Sequence, residues 1–342
     1  LRRVMMMAAV FTAGALVLAG CGSDEGAGGG AAGGEKIKVG LAFDVGGRGD
    51  KSFNDSAAAG IEKAKKELGV EAIELSPKED GSDRQDLLRK LAEQGYNPVI
   101  GVGFLYTQDV EKVAQEYPEV TFACVDCGAK GSNVANLVFA EEQGSFLVGA
   151  AAALKTKTNH IGFIGGEEGA LIRKFQAGYE QGAKAVKPDI KIDVKYLAPE
   201  GSSGAGFRSP DKAKLAAQAM YQSGADIVYH AAGQSGGGLF QAAKEAGKLA
   251  IGVDADQALT DPQYADVILT SMLKRVDVAV FEFIKAVKEG KKPTGFQKYD
   301  LKVDGVGYST TGGKIDDVEA KLDEYKQKIV SGQIQVADQP TS

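Results

Sequence analysis

The sequence is short of metal-binding side chains. It has two histidines, His160 and His230, and three cysteines, Cys21, Cys124 and Cys127, in 342 residues. A structural zinc site draws four ligands, mostly Cys and His. The single C-x-x-C pair, Cys124 and Cys127, cannot complete one, and no run of acids has metal-like spacing. No metal and no other cofactor is therefore expected. Tryptophan is absent, which by itself excludes nothing. Positive charge is in deficit: 40 Lys and Arg stand against 46 Asp and Glu, a net charge of -6. Non-specific nucleic-acid binding relies on Lys and Arg to neutralise phosphates, so no such partner is expected. A redox C-x-x-C usually opens a helix, whereas "TFACVDCG" ends a β-like run. If that run stays extended, the two α-carbons sit about 10 Å apart at about 3.3 Å per residue. A disulfide needs them within about 7 Å, so two buried or half-buried thiols are expected.

Long hydrophobic runs are also scarce. Val4 to Leu18 is uncharged and mostly apolar, follows Arg2-Arg3, and is too short to span a bilayer comfortably. That is the length of a signal-peptide core, and residues 1–20 read as a leader. Leu18-Ala19-Gly20-Cys21 resembles the lipobox of bacterial lipoproteins, in which Cys21 takes a diacylglycerol and becomes the new N-terminus. Loss of Arg2 and Arg3 with the leader takes the charge from -6 to -8. Residues 21–35 are rich in Gly and Ala and read as a flexible tether. Leader, anchor and tether describe a body held outside a bacterial cell membrane.

The body is 44% hydrophobic and 25% charged, ordinary for a globular chain and long enough for two domains. From residue 36, short β-like runs alternate with amphipathic stretches. The runs are Ile37–Phe43, Val70–Leu75, Val99–Val102, Thr121–Val125, Leu137–Phe139, His160–Gly165, Ile192–Tyr196, Ile227–Ala231, Leu249–Val253 and Val267–Thr270. Such alternation predicts an α/β fold with parallel sheets covered on both faces. A faint repeat divides it: Val99 to Asp126 spans 27 positions, and so does Ile227 to Asp254. Two doubly wound lobes are expected, with ligand loops beyond the strand ends around one cleft. The expected first lobe is 36–142 with about 271–295, and the second is 143–270 with about 296–335.

The stretch "FDVGGRGDKSFNDSAAAGIEKA", residues 43–64, invites comparison with a phosphate-binding loop. It fails both tests. Asp50 precedes Lys51-Ser52 where a P-loop has Gly, and Ser52 stands where G-x-G-x-x-G needs its last glycine. Asp44, Asp50 and Asp55 would also crowd a polyanion. Like charges about 4 Å apart repel by roughly 4 kcal/mol at an effective dielectric near 20. Asp44, directly after a strand, suits a neutral donor. Phe53 and Asn54 suit a ring and a heterocycle edge, because an amide both donates and accepts. Read without a family, the two residues equally fit a plug and a cap at a helix start.

"DVGGRGDKSFNDSAAAG" resembles the signature of the basic membrane lipoprotein family, the purine-nucleoside-receptor type of ABC-transporter substrate-binding proteins. The resemblance runs from about 36 to 335 through "VGF", "VDCG", "GFIGG", "HAAGQSGGG", "VDADQ" and "TSMLKR". It implies the type I periplasmic-binding fold: two α/β lobes, three crossings, and a ligand enclosed between them. It implies that Phe53 and Phe207 stack on a base, and that Asp44, Asn54 and Asp126 hydrogen-bond it or its neighbourhood. Asp254 and Lys274 would hold the ribose hydroxyls, and Gly233 and Gly236 would let backbone approach the sugar. The function so implied is capture of a nucleoside, a purine one, and delivery to an ABC permease by a monomeric lipid-anchored receptor, without covalent chemistry. The rivals are a receptor of the same fold for a sugar or autoinducer, and a nucleoside hydrolase. His230 has no visible partner in sequence and reads as a core histidine.

Overall fold

The computed structural model describes residues 37–340. The expected leader, Cys21 and the tether lie outside the described residues. Among the described residues, twelve strands form two six-stranded sheets. The first sheet contains β1 (Lys38–Ala42), β2 (Glu71–Leu75), β3 (Val99–Val102), β4 (Phe122–Val125) and β5 (Val134–Phe139). The second contains β6 (His160–Glu168), β7 (Lys191–Pro199), β8 (Ile227–Ala231), β9 (Leu249–Asp254) and β10 (Ile268–Lys274). Two late strands, β11 (Gly295–Tyr299) and β12 (Val306–Tyr308), add one edge to each sheet. The orders are β2-β1-β3-β4-β5-β11 and β7-β6-β8-β9-β10-β12. All neighbours pair parallel except β10 and β12. The faint repeat thus corresponds to one strand order used twice.

The strands are short apolar runs because parallel strands are covered on both faces. In β3, β4 and β8 every residue is buried. Most covering helices bury one stripe, whereas Glu141–Lys155 is buried over nearly its whole surface. In Phe53–Leu68, Ala57, Ala58, Ile61 and Ala64 are buried, and the helix stops at Gly69, whose left-handed backbone returns its N–H to the Lys65 carbonyl.

The chain crosses between lobes three times: after β5, after β10 and after β11. Helix Val276–Lys288 returns to the first lobe, where the Asp277 N–H donates to the Ser56 hydroxyl at 3.2 Å. Two expected boundaries are corrected here. Ser271–Lys274 completes β10 of the second sheet, and 296–299 belongs to β11 of the first, paired with β5. A short β-like run carries no mark of which sheet it will extend. The preceding helix is already docked on the first lobe, so the nearest free edge is that of β5.

Helices Glu141–Lys155 and Ala170–Val186 touch backbone to backbone. A methyl group on Gly178 would lie 2.0 Å from the Glu142 carbonyl oxygen, and one on Gly182 would lie 2.0 Å from that of Phe146. This approach sets where the first turns of both helices stand over the cleft. Gly178→Ala should destabilise the fold by about 1–3 kcal/mol through overpacking, read from urea or thermal unfolding. A variant as stable as the parent would show that the helix pair has slack.

Candidate functional site

The cleft lies at the carboxyl ends of both sheets. Asp44 follows β1, Asp126 follows β4, Asp254 ends β9, and Lys274 ends β10. They share one cavity with Phe53, Asn54, Phe207 and Gly233, all expected, and with Asp50, Phe104, Leu171, Ile172, Phe175 and Gln234, which were not. The space between them is about 580 Å³ including its open mouth. Gly236 is not among the lining residues. A methyl group there would strike the His230 ring at 2.0 Å, so this glycine seats a helix start on a buried imidazole.

The loop before Phe53 holds itself together with its own acids. Asp50 accepts the N–H groups of Ser52, Asn54 and Asp55, at 3.0, 2.8 and 3.1 Å. Asp55 accepts those of Gly49 and Lys51, at 2.7 and 3.0 Å. The helix cap is therefore Asp50, and Asn54 is free for another task. Its Oδ1 accepts the Asp44 N–H at 2.9 Å and its Nδ2 reaches the Val45 carbonyl at 3.4 Å. The amide pins the end of β1 and so aims Asp44. Gly103 lets that carboxyl in: with φ at 104°, it has no Cβ where one would sit 2.1 Å from Asp44 Oδ2.

Phe207 arrives on the loop after β7. Buried Glu167 accepts the Gly204 N–H at 2.5 Å and holds that loop. The Phe207 ring meets the Phe104 ring of the first lobe edge-on, centroids 6.3 Å apart. The lobes also touch through polar groups. Ser52 Oγ donates to Asp254 Oδ2 at 2.5 Å, and the Lys51 carbonyl accepts from Gln257 Nε2 and Thr260 Oγ1, both at 3.1 Å. The cleft is closed.

Asp126 and Asp254 occupy equivalent places in the two lobes, and both have left-handed backbone, φ 62° and 64°. At Asp254 the turn is closed by the Ala255 N–H on the Val253 carbonyl at 2.8 Å. At Asp126 it is closed covalently, because Cys124 and Cys127 form a disulfide. This corrects the expectation of two thiols. The extended geometry assumed for "CVDC" fails at Asp126, and the turn brings the α-carbons to 5.5 Å.

Lys274 is the centre of charge, with only 2% of its side chain exposed. Its ammonium donates to Asp126 Oδ2 at 2.5 Å and lies 3.0 Å from Glu141 Oε1. The rings of Phe53, Phe139 and Phe175 surround it at 5.2, 5.0 and 5.5 Å. Burial works against this charge, but Asp126, Glu141 and Asp254 outweigh it and hold the lysine pKa above its ordinary value. Phe175 and Glu141 gave no sequence signal. Each sits on a helix face where an aromatic or an acid ordinarily means packing or a first-turn charge.

Four acids, Asp44, Asp50, Asp126 and Asp254, line the cleft against the single cation Lys274. Burial pushes Asp44 up to about 7, against the Val45 N–H that favours its anion. Burial pushes Asp254 up to about 7 as well, against Lys274 and Ser52. Burial also raises Asp126 against the pull of Lys274. A site of this kind offers ordered acceptors and one donor to an uncharged, hydroxyl-bearing ring compound. His230, fully buried, bonds Gln257 Oε1 at 2.9 Å, and burial lowers its pKa to about 4. It fits the expected core role. Among the described residues, no group of three or more His, Cys, Asp or Glu is arranged to hold a metal ion.

Residues 36–340 match the family model for Bmp, the PnrA-like ABC transporter substrate-binding proteins. The chain belongs to this family. Two relatives match over almost their whole length. The CD4+ T-cell-stimulating antigen of Listeria innocua is 36% identical, with 99% of each chain covered. The ABC transporter nucleoside-binding protein BmpA of Lactococcus lactis is 35% identical, covering 98% of this chain and 99% of the relative. Among solved structures, a solute-binding protein of an ABC transporter system from Aeropyrum pernix aligns with a TM-score of 0.78. It is 32% identical, over 90% of this chain and 94% of that one. The Caulobacter myo-inositol binding protein, 16% identical at a TM-score of 0.60, shares the fold alone. Two parallel-sheet lobes of the type I periplasmic-binding fold are thus common to the family member and its neighbours, as the resemblance implied. The family is one of ABC transporter substrate-binding proteins.

The raised carboxyl groups give a pH dependence with a definite sign. Asp44 and Asp254 ordinarily titrate near 3.8, so the folded state binds their protons more tightly than the unfolded chain. Stability then rises as pH falls through about 7. His230 acts oppositely below its ordinary 6.5, which confines the window to about pH 8 to 6.5. The thermal midpoint of the ligand-free protein should be higher at pH 6.5 than at pH 8, and Asp254→Asn should flatten the difference. An equal slope in that variant would assign the effect to other groups.

Proposed function

We propose that this protein is a monomeric receptor, anchored at the extracytoplasmic face of a bacterial membrane by a lipid on Cys21, that captures a purine nucleoside for import by an ABC permease. One observation carries the reading. A closed cleft sets the aromatic rings of Phe53, Phe175 and Phe207 beside buried carboxyl acceptors and one buried ammonium. Rings bind the flat face of a base, and each stacking contact is worth about 1–3 kcal/mol. A carboxylate can accept from two vicinal hydroxyls, which suits Asp254 or Asp126 to a ribose diol. The name of the Lactococcus relative supports the same ligand class. The excess of acids disfavours a phosphate, so the free nucleoside is selected over the nucleotide. Closure excludes water and strengthens each polar contact. Among the described residues no helix is long and apolar enough to cross a membrane.

Mass spectrometry of denatured, freshly purified protein should release a nucleoside. Release of a sugar or another solute would favour the rival receptor. In calorimetry, Phe53→Ala should weaken adenosine or inosine by about tenfold to a hundredfold, the loss of one stacking contact. Unchanged affinity in that variant would remove the base-stacking role. AMP binding as tightly as adenosine would remove the proposed discrimination by charge.

A further inference from the structure

The three crossings between lobes converge on one buried side chain. The first passes through Phe139, Ala140 and Glu141, where the Ala140 N–H donates to the Tyr299 carbonyl at 3.0 Å. The second passes through Lys274 and Arg275, where the Arg275 N–H donates to the Gly305 carbonyl at 2.9 Å. The third passes through Tyr299 and Leu301. The Tyr299 ring stacks on Phe139 at 5.3 Å, and the Leu301 N–H donates to Gln143 Oε1 at 3.1 Å. Glu141 pairs with Lys274 at 3.0 Å and, through its other oxygen, with Lys174 at 3.3 Å. Its side chain is 1% exposed, yet it does not line the cleft, whereas Lys274, Asp126 and Asp254 do. One ammonium is therefore held by an acid of the ligand cleft on one hand and an acid of the hinge on the other.

We propose that Glu141 is a positioning residue that ties Lys274 to the hinge, so that occupancy of the cleft and closure of the lobes are coupled through the Asp126–Lys274–Glu141 triad. Removing the Glu141 charge leaves the cleft lining intact. It frees the lysine from the first crossing and leaves only the cleft acids Asp126 and Asp254 to hold the ammonium. A buried ion pair stripped of one partner is strongly disfavoured in place, so the closed arrangement loses most. Dissociation of ligand, which requires opening, then speeds up more than association slows.

The experiment combines hydrogen exchange with binding. In ligand-free protein, Glu141→Gln should accelerate exchange of the Ala140, Arg275 and Leu301 amides together, by tenfold or more. This arm is independent of the ligand assignment. With inosine, which rests on the nucleoside reading, the same variant should bind at least tenfold more weakly, chiefly through faster dissociation. Glu141→Asp should recover part of the loss, which a purely structural defect would not show. In the parent, saturating inosine should slow all three amides together. A folded Glu141→Gln protein with unchanged exchange at Arg275 and Leu301, or with inosine affinity within twofold of the parent, overturns the proposal. Should that variant fail to fold, unchanged exchange of the three amides in the inosine-saturated parent overturns it instead. Failure of the parent to bind any nucleoside refutes the functional reading, and the ligand-free comparison still decides the role of Glu141.

Discussion

The structure turns on keeping one ammonium ion in the protein interior. Taking Lys274 out of water costs several kcal/mol, which only well-placed counter-charges can offset. Asp126 comes from the first lobe, Glu141 from the first crossing, and Asp254 from the second lobe. No single lobe supplies this set, so satisfying the lysine requires the two halves to meet. The rings of Phe53, Phe139 and Phe175 complete the enclosure with their negative faces. The same groups, seen from the cleft, are a donor, two acceptors and aromatic surface. The constraint that holds the molecule shut is also the surface offered to a ligand.

The two halves reach one local geometry by different chemistry. Asp126 and Asp254 each need a left-handed backbone at a strand end, which a residue with a Cβ adopts at a cost. In the second lobe a backbone hydrogen bond across one residue supports the turn. In the first, a disulfide spans it. Both solutions turn the carboxyl off the line of the strand and into the cleft. The acids of the Phe53 loop serve a different end: Asp50 and Asp55 collect backbone N–H groups that a loop would otherwise leave to water. Crowded acids in that stretch thus reflect loop architecture first, and rejection of anions second.

Much of the fold was legible because its signals are local. Alternating apolar runs and amphipathic stretches located all ten strands from β1 to β10, and the 27-residue spacing revealed the repeated unit. Residues directly after strands, Asp44, Asp126 and Asp254, could be nominated because parallel sheets bring those ends together. Gly236 lies outside the cleft lining and against His230, and a glycine that admits a ligand and a glycine that admits an imidazole read alike in sequence. Phe175 and Glu141 were missed, since a ring or an acid on an amphipathic helix ordinarily serves the core or the first turn. The C-x-x-C was misjudged because its spacing was converted to distance as if the strand continued through Asp126.

The sequence by itself determined the elements, their order and the chemistry available at the strand ends, because periodicity and turn residues act over a few neighbours. The tertiary structure alone decided which sheet received β11, which acids met Lys274, and that two cysteines three residues apart could bond. Those outcomes depend on groups far apart in the chain, Glu141 and Lys274 or Ser52 and Asp254, and on a backbone turn whose sign no local pattern announces. Electrostatic pairing in a buried cleft is a long-range selection, and it acts only once the lobes have formed.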